Sequence, residues 1–389
     1  MNRLAINGGN SVIGKLGAMK NKYGSEELNA VQKVLERGAL SSFRGGTEVR
    51  EFQDLFSKYV SVENSIATTS GTTALHTSLA ALNLPIGSEV AVPALTFVST
   101  ASVVLQEGLK PVFIDVDEFY CMDPVDLEKK ISQKTKAVIP VHLYGHPANM
   151  VEIVRIAREN NLYIIEDACQ AHGATINDKK VGGIGDIGCF SFFETKNMSC
   201  GEGGMITIRN SDLFDSVCLV HEHGSPRSSS TWYSYERLGY NYNMTELQGA
   251  IGKVQLKKLD GNNEIRRKNA EYYINNLSKL NLVLPKEAEN VKSVYHNFPV
   301  LLPEEFSKDR DFFVEALKAE GVPVDIAYPK PLYDTVLFKK LGYNDYLPVT
   351  ENVTSRLFTL FTDNSMDINL INDISTAIEK VYGYLKNRK

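Results

Sequence analysis

Tyr163-Ile164-Ile165-Glu166-Asp167-Ala168-Cys169-Gln170 reads as a short apolar strand that ends in two carboxylates and passes at once into a polar loop. Segments of the same kind recur on both sides of it, at 65–69, 89–93, 111–115, 137–141, 189–193 and 205–208. Helix-like stretches separate them at 73–82, 100–107 and 151–160, and in the last of these Ile153, Val154, Ile156 and Ala157 share a face. Two more helices precede the first strand. One opens at Ser25-Glu26-Glu27 and runs to Leu35; the other covers 47–59, with Val49, Phe52, Phe56 and Tyr59 at helical spacing. Several strands are apolar on both faces, as parallel strands buried between helices are. The alternation predicts an α/β fold with a mostly parallel seven-stranded sheet between helices.

The pattern changes after about residue 256. A lysine-rich helical stretch at 254–280 leads to a strand at 296–302, a helix at 308–320 and a final helix at 368–385. The expected organisation is a large domain over 1–255, with its N-terminal arm, and a smaller C-terminal α+β domain over 256–389.

Composition narrows the class. The 389 residues carry 42 basic and 47 acidic side chains, a formal charge of −5, with no run of like sign. A nucleic-acid groove and a polybasic membrane anchor are not expected on such a chain. No apolar run reaches the length of a membrane span, and the opening MNRLAINGGN lacks the pattern of a secretory signal. Five scattered cysteines without a CxxC pair point to a reducing, cytoplasmic setting. His221-Glu222-His223 has no third ligand at recognisable spacing, so no metal is expected.

In an open parallel sheet, ligands gather beyond the carboxyl ends of the strands. The first strand is followed by Ser70-Gly71-Thr72-Thr73-Ala74, which opens a helix. Glycine permits close backbone approach, the hydroxyls can donate, and a helix start has free N–H groups, so the stretch is built to cradle a phosphate. The same residues also read as a plain capped helix with a turn glycine. Gly183-Ile184-Gly185-Asp186-Ile187-Gly188 spells a dinucleotide fingerprint, yet it precedes a strand instead of following one and is read as a turn. Ser191-Phe192-Phe193-Glu194-Thr195-Lys196-Asn197 carries a strand into a loop with one lysine, and Gly201-Glu202-Gly203-Gly204 follows. A lysine at the mouth of a parallel sheet, near a buried acid and a phosphate cradle, suits pyridoxal phosphate. The amine would form the Schiff base, the acid would keep the pyridine nitrogen protonated, and the cradle would anchor the phosphate.

At this point the text resembles the DegT/StrS-type sugar aminotransferases, fold-type I pyridoxal phosphate enzymes. The matching blocks are Arg44-Gly45 with the helix after it, SGTTALH at 70–76, PALTFVSTA at 93–101, PVFIDVD at 111–117 and IPVHLYGHPANM at 139–150. They continue with EDACQAHGA at 166–174, GDIGCFSFFETKN at 185–197, CGEGG at 200–204 and LGYNYNMTELQGAIG at 238–252. The resemblance implies a fold-type I transferase in which Lys196 holds the cofactor and carries a proton between substrate and cofactor. It implies that Asp167 pairs with the ring nitrogen, Gln170 with the ring hydroxyl, and that Phe97 stacks on the ring. Gly71, Thr72, Thr73 and Ser191 would hold the phosphate. Asn243, or its near neighbour Asn241, would reach the phosphate across the interface of a homodimer with shared sites. Many relatives have arginine in place of Asn243 and histidine in place of Tyr333. Arg44, Arg227 and Tyr333 are the substrate candidates.

The implied reaction moves an amino group from glutamate, or glutamine, to the ketone of a nucleotide-linked keto sugar. A keto-cyclitol, a keto-sugar acid or an aminobenzoate precursor are the alternative acceptors, and Leu4-Ala5-Ile6-Asn7-Gly8-Gly9 resembles those branches. A reading from another class, a sensor that binds the cofactor without turnover, has no use for an amine beside a buried acid.

Overall fold

The computed structural model describes residues 3–14, 22–226 and 234–388. Two helices, α1 (Ser25–Arg37) and α2 (Glu48–Val60), lead into β1 (Asn64–Thr68), α3 (Gly71–Ala81), β2 (Glu89–Pro93), α4 (Ser99–Gln106) and β3 (Lys110–Ile114). Next come α5 (Pro124–Lys130), β4 (Thr135–Val138), α6 (Met150–Glu159) and β5 (Tyr163–Asp167). A small hairpin of β6 (Thr175–Ile176) and β7 (Lys179–Lys180) precedes β8 (Ile187–Ser191), β9 (Gly204–Ile208) and α7 (Phe214–His221). The central sheet has seven strands in the order β1-β9-β8-β5-β4-β2-β3. Only β9 runs against its neighbours; every other pairing is parallel.

All seven strands form within three residues of their expected ends. The alternation along each strand assigns its side chains to two faces. Val90, Val92, Phe113 and Ile165 join the core shared with α3, α4 and α7. Ala91, Ile114, Val138 and Ile164 pack on the other side with Leu127 of α5 and Ile153 and Ile156 of α6. By the same parity Asp167 follows Ile165 to the α4 side and Glu166 follows Ile164 to the α6 side.

The second half begins with α8 (Glu246–Leu277), followed by β10 (Val291–Lys292), β11 (Phe298–Leu301), α9 (Arg310–Ala319) and β12 (Val324–Asp325). It closes with α10 (Val336–Lys340), α11 (Pro348–Arg356), β13 (Leu357–Leu360) and α12 (Ile368–Arg388). β11, β13 and β12 form an antiparallel sheet with β13 at its centre, while β10 pairs with the β6–β7 hairpin. Three features depart from the expectation. First, α8 starts at Glu246 under a capping box between Thr245 and Gln248, not near residue 254. Gly249 and Gly252 are helical because α2 lies against them: an added Cβ would meet the Val49 nitrogen at 2.8 Å and the Phe52 ring at 2.6 Å. Second, the boundary drawn at 255 falls inside this continuous helix. Third, the described part of the N-terminal arm packs on the second half. Leu4 and Ile13 sit in the core formed by α9, α12 and the β11–β13–β12 sheet. Glu320 fixes them there, accepting from the Ala5 and Val12 N–H groups at 2.8 and 3.0 Å and pairing with Lys380 at 2.8 Å.

Candidate active site

Loops beyond the carboxyl ends of β1, β2, β5 and β8 enclose a cavity of about 450 Å³. Gly71, Thr72, Phe97, Asp167, Gln170, Ser191 and Lys196 all line it, so seven of the expected residues meet in one place. Ser70 of the cradle motif lines it too, and so do Thr96, Ser99, Glu202, His296, Asn297 and Tyr328, to which sequence reasoning gave no role. His296, Asn297 and Tyr328 come from the second half of the chain, where no motif announces them.

The two acids that end β5 go to opposite faces and have unrelated jobs. Asp167 enters the cavity wall, where Thr100 of α4 donates to its Oδ2 at 2.8 Å and the Cys169 N–H to its Oδ1 at 3.2 Å. Thr100 in turn shares a 2.9 Å hydrogen bond with Thr96. Glu166 is fully buried. Its carboxylate accepts from the N–H groups of Gly182, Ile184 and Gly185 at 2.7–2.8 Å and lies 3.0 Å from His142 Nε2. The glycine-rich turn is therefore an anion nest whose anion is Glu166 from the neighbouring strand.

Opposite Asp167, β8 delivers Ser191 and then the loop with Lys196. Burial pulls the Lys196 ammonium below its ordinary value, and Cys169 and Asp167 oppose that shift without cancelling it. A partly desolvated amine spends more time neutral near pH 7 and is the better nucleophile for it. His296 is held well below its usual range by burial and by the nearby Lys196 and Arg266 charges, so its ring is neutral. Asn197 anchors the loop inward, donating to Asn263 of α8 at 2.9 Å and to the Val294 carbonyl at 3.1 Å.

The phosphate cradle is narrower than expected. Ser70 caps α3, accepting from the Thr73 N–H at 3.1 Å, while the Thr73 hydroxyl accepts from the Ser70 N–H at 2.9 Å. Thr73 thus spends both groups on the cap and does not line the cavity. The helix-start amides of Gly71 and Thr72 stay outside that cap. A side chain at position 71 would meet Ser191 Cβ at 2.7 Å and Cys169 Sγ at 2.8 Å, so only glycine lets the helix start approach β8 this closely. Two helix-start amides, the hydroxyls of Ser70, Thr72, Ser99 and Ser191, and an amine nearby form a donor set that fits a phosphate ester carrying an aldehyde. Phe97 lies 56% exposed on the cavity wall, a flat apolar surface open to an aromatic ring. Gln170 accepts from the Tyr144 N–H at 2.9 Å and donates to the Tyr328 hydroxyl at 2.8 Å, which orients its amide.

The other candidates lie elsewhere. Asn243 donates to Asn241 at 2.9 Å, and neither lines this chain's cavity. Arg44 is exposed on the short turn before α2 and is also outside it. Tyr333 is buried against Phe113, donating to Glu351 at 2.9 Å and accepting from the Leu347 N–H at 3.1 Å. Its hydroxyl is committed to that contact, and Tyr333 does not line the cavity. Arg227 falls outside the described residues.

A model of the DegT/DnrJ/EryC1/StrS aminotransferase family matches residues 21–379. UDP-N-acetyl-3-dehydro-alpha-D-glucosamine 3-aminotransferase of Acidithiobacillus ferrooxidans is 36% identical over 357 residues, covering 91% of this chain and 93% of that protein. GDP-perosamine synthase of Caulobacter vibrioides is 38% identical over 315 residues, covering 80% and 84%. Among solved structures, NtdA from Bacillus subtilis with bound cofactor PMP superposes with a TM-score of 0.87 at 31% identity, over 95% of this chain and 86% of that one.

Proposed function

The chain belongs to the DegT/DnrJ/EryC1/StrS aminotransferase family and is a pyridoxal-phosphate-dependent aminotransferase, and from that premise we propose that it transfers an amino group from L-glutamate to the ketone of a nucleotide-linked keto sugar. The observation that carries the reading is the convergence of Lys196, Asp167 and the Gly71–Thr72 helix start on one cavity. The names of the two relatives, each a nucleotide-sugar enzyme, support the acceptor class.

When bound, pyridoxal phosphate supplies an electron sink conjugated to the substrate nitrogen. The chain does the rest. Lys196 Nζ would hold the cofactor and would carry the proton at the reacting carbon. Asp167, held by Thr100 and the Cys169 N–H, would pair with the ring nitrogen and favour its protonated state. Gln170 would bond to the ring hydroxyl, Phe97 would stack on the ring, and Gly71, Thr72 and Ser191 would hold the phosphate. The large unit carries these groups, and the second half closes the far wall with His296, Asn297 and Tyr328.

The working unit in this reading is a homodimer, with Asn243 or Asn241 completing the partner's phosphate site. Two observations support it: neither asparagine lines its own cavity, and Leu28, Leu35, Leu40 and Phe43 are exposed apolar side chains on α1 and the segment after it. Sedimentation should find a dimer, and Leu28→Glu should shift it toward monomer. The five free cysteines fit a cytoplasmic enzyme; no described helix is long and apolar enough to cross a membrane.

The substrate is tested in reverse. Cofactor-loaded protein is offered amino sugars linked to nucleotides, free amino sugars, amino-cyclitols and an aminobenzoate, and the absorbance of the bound cofactor is followed. Conversion by the nucleotide-linked amines alone supports the proposal. Conversion by a cyclitol or aminobenzoate alone would sink it.

A further inference from the structure

One cation lies against the reactive loop with no place in the chemistry above. Lys22, at the end of the N-terminal arm, donates its ammonium to the Glu194 carbonyl at 2.6 Å and to the Lys196 carbonyl at 3.4 Å. The two acceptors bracket Thr195, so a single side chain ties down the main chain on both sides of the residue before Lys196. The next residue repeats the contact, with the Tyr23 hydroxyl 2.9 Å from Ser199 Oγ further along the loop. Ser199 is itself tied to the end of β8, donating to the Phe192 carbonyl at 3.2 Å. The arm is anchored to the scaffold at the same point, because Gln255 of α8 donates to the Lys22 carbonyl at 3.4 Å and to Glu27 at 2.8 Å.

We propose that Lys22 is a positioning residue for Lys196, fixing the loop's main chain on both sides of Thr195 and so holding the cofactor-bearing amine in place. The inference rests on the assignment of Lys196 as the cofactor lysine. Around Lys196 the opposing groups are Asp167 and Cys169 at the end of β5, which favour its charged form. His172 and His296 also face Lys196, and both are held neutral by burial, so they add no charge. Lys22 itself faces Arg266 of α8 and the acids Glu194 and Asp363, and its link to Lys196 is the pair of main-chain contacts.

Lys22→Met keeps the apolar stem and removes the donors that hold the two carbonyls. In cofactor-loaded Lys22→Met, kcat should fall by about tenfold with little change in KM, because substrate contacts are untouched. Lys22→Arg, which retains the donors, should restore kcat. Lys22→Leu serves should Lys22→Met not fold, and the same fall is expected of it. An unchanged kcat in the variant without donors, or a loss that Lys22→Arg does not restore, overturns the inference. The underlying assignment is read separately: borohydride should fix the cofactor mass to the Lys196 peptide of the wild-type protein, and if it does not, that assignment fails before Lys22 is tested.

Discussion

Lys196→Ala should fold with an unchanged dichroism spectrum, lose all borohydride-fixed cofactor mass, and turn over at least about a thousandfold more slowly than the wild type. The fold should survive because the loop is held by main-chain and neighbouring contacts that do not use the Lys196 side chain. Asn197 bonds to Asn263 and Val294, and Lys22 grips carbonyls. The side chain itself is buried at a cost, and burial is what lowers its proton affinity. Taking it out therefore relieves a desolvation penalty while removing the group that forms the covalent bond and carries the proton. Arginine at the same position would retain the charge without an amine able to form that bond, and should be as inactive as alanine. Residual turnover within tenfold of wild type, in either variant, would remove Lys196 from the mechanism.

The second large effect is a contrast between neighbours. Asp167→Asn keeps its one oxygen for the Cys169 N–H and turns its amide toward Thr100, whose hydroxyl can rotate to accept, so stability should change little. It removes the negative charge facing the ring nitrogen, and kcat should drop by about 10³-fold. Glu166→Gln should do the reverse. Its new amide would aim a donor at a site already filled by donors, since the Gly182, Ile184 and Gly185 amides all point at the carboxylate. A cost of about 3 kcal/mol is expected in denaturant unfolding, with the folded fraction retaining normal cofactor spectra. If Glu166→Gln unfolds like wild type but fails in turnover, the face assignment of the two acids is wrong.

That contrast also shows what the sequence could and could not say. Strand alternation was legible, and with it the seven-stranded sheet, because buried parallel strands must be apolar and short. Adjacent acids at a strand end look alike as text, yet period-two geometry sends one to the active site and the other to the glycine turn. The turn's resemblance to a nucleotide fingerprint dissolves on the same ground: glycines supply free amides wherever an anion sits, including a carboxylate from the next strand. The text does not tell Thr72, on the cavity wall, from Thr73, in the cap, because a capping hydroxyl and a phosphate-binding hydroxyl occupy neighbouring positions of one motif. β13 escaped notice because Leu357–Leu360 is four residues, buried throughout, with no alternation to announce it. Lys22, Thr100 and Tyr328 were invisible for a different reason. They act on motif residues from 67 or more positions away, and spacing along the chain carries no trace of such contacts.

The packing of the arm on the second half sets an order in time. Leu4 and Ile13 complete a core whose other members extend to Leu385. On the ribosome, that core cannot close until the final helix has left the exit tunnel, whereas the last strand of the central sheet ends at Ile208. Chains fold largely as units as they emerge. Once residue 208 has emerged, the nascent protein can hold a sheet with Asp167 and Lys196 in place while Leu4 and Ile13 still wait for the core they complete. That core should therefore close after the sheet that carries Asp167 and Lys196.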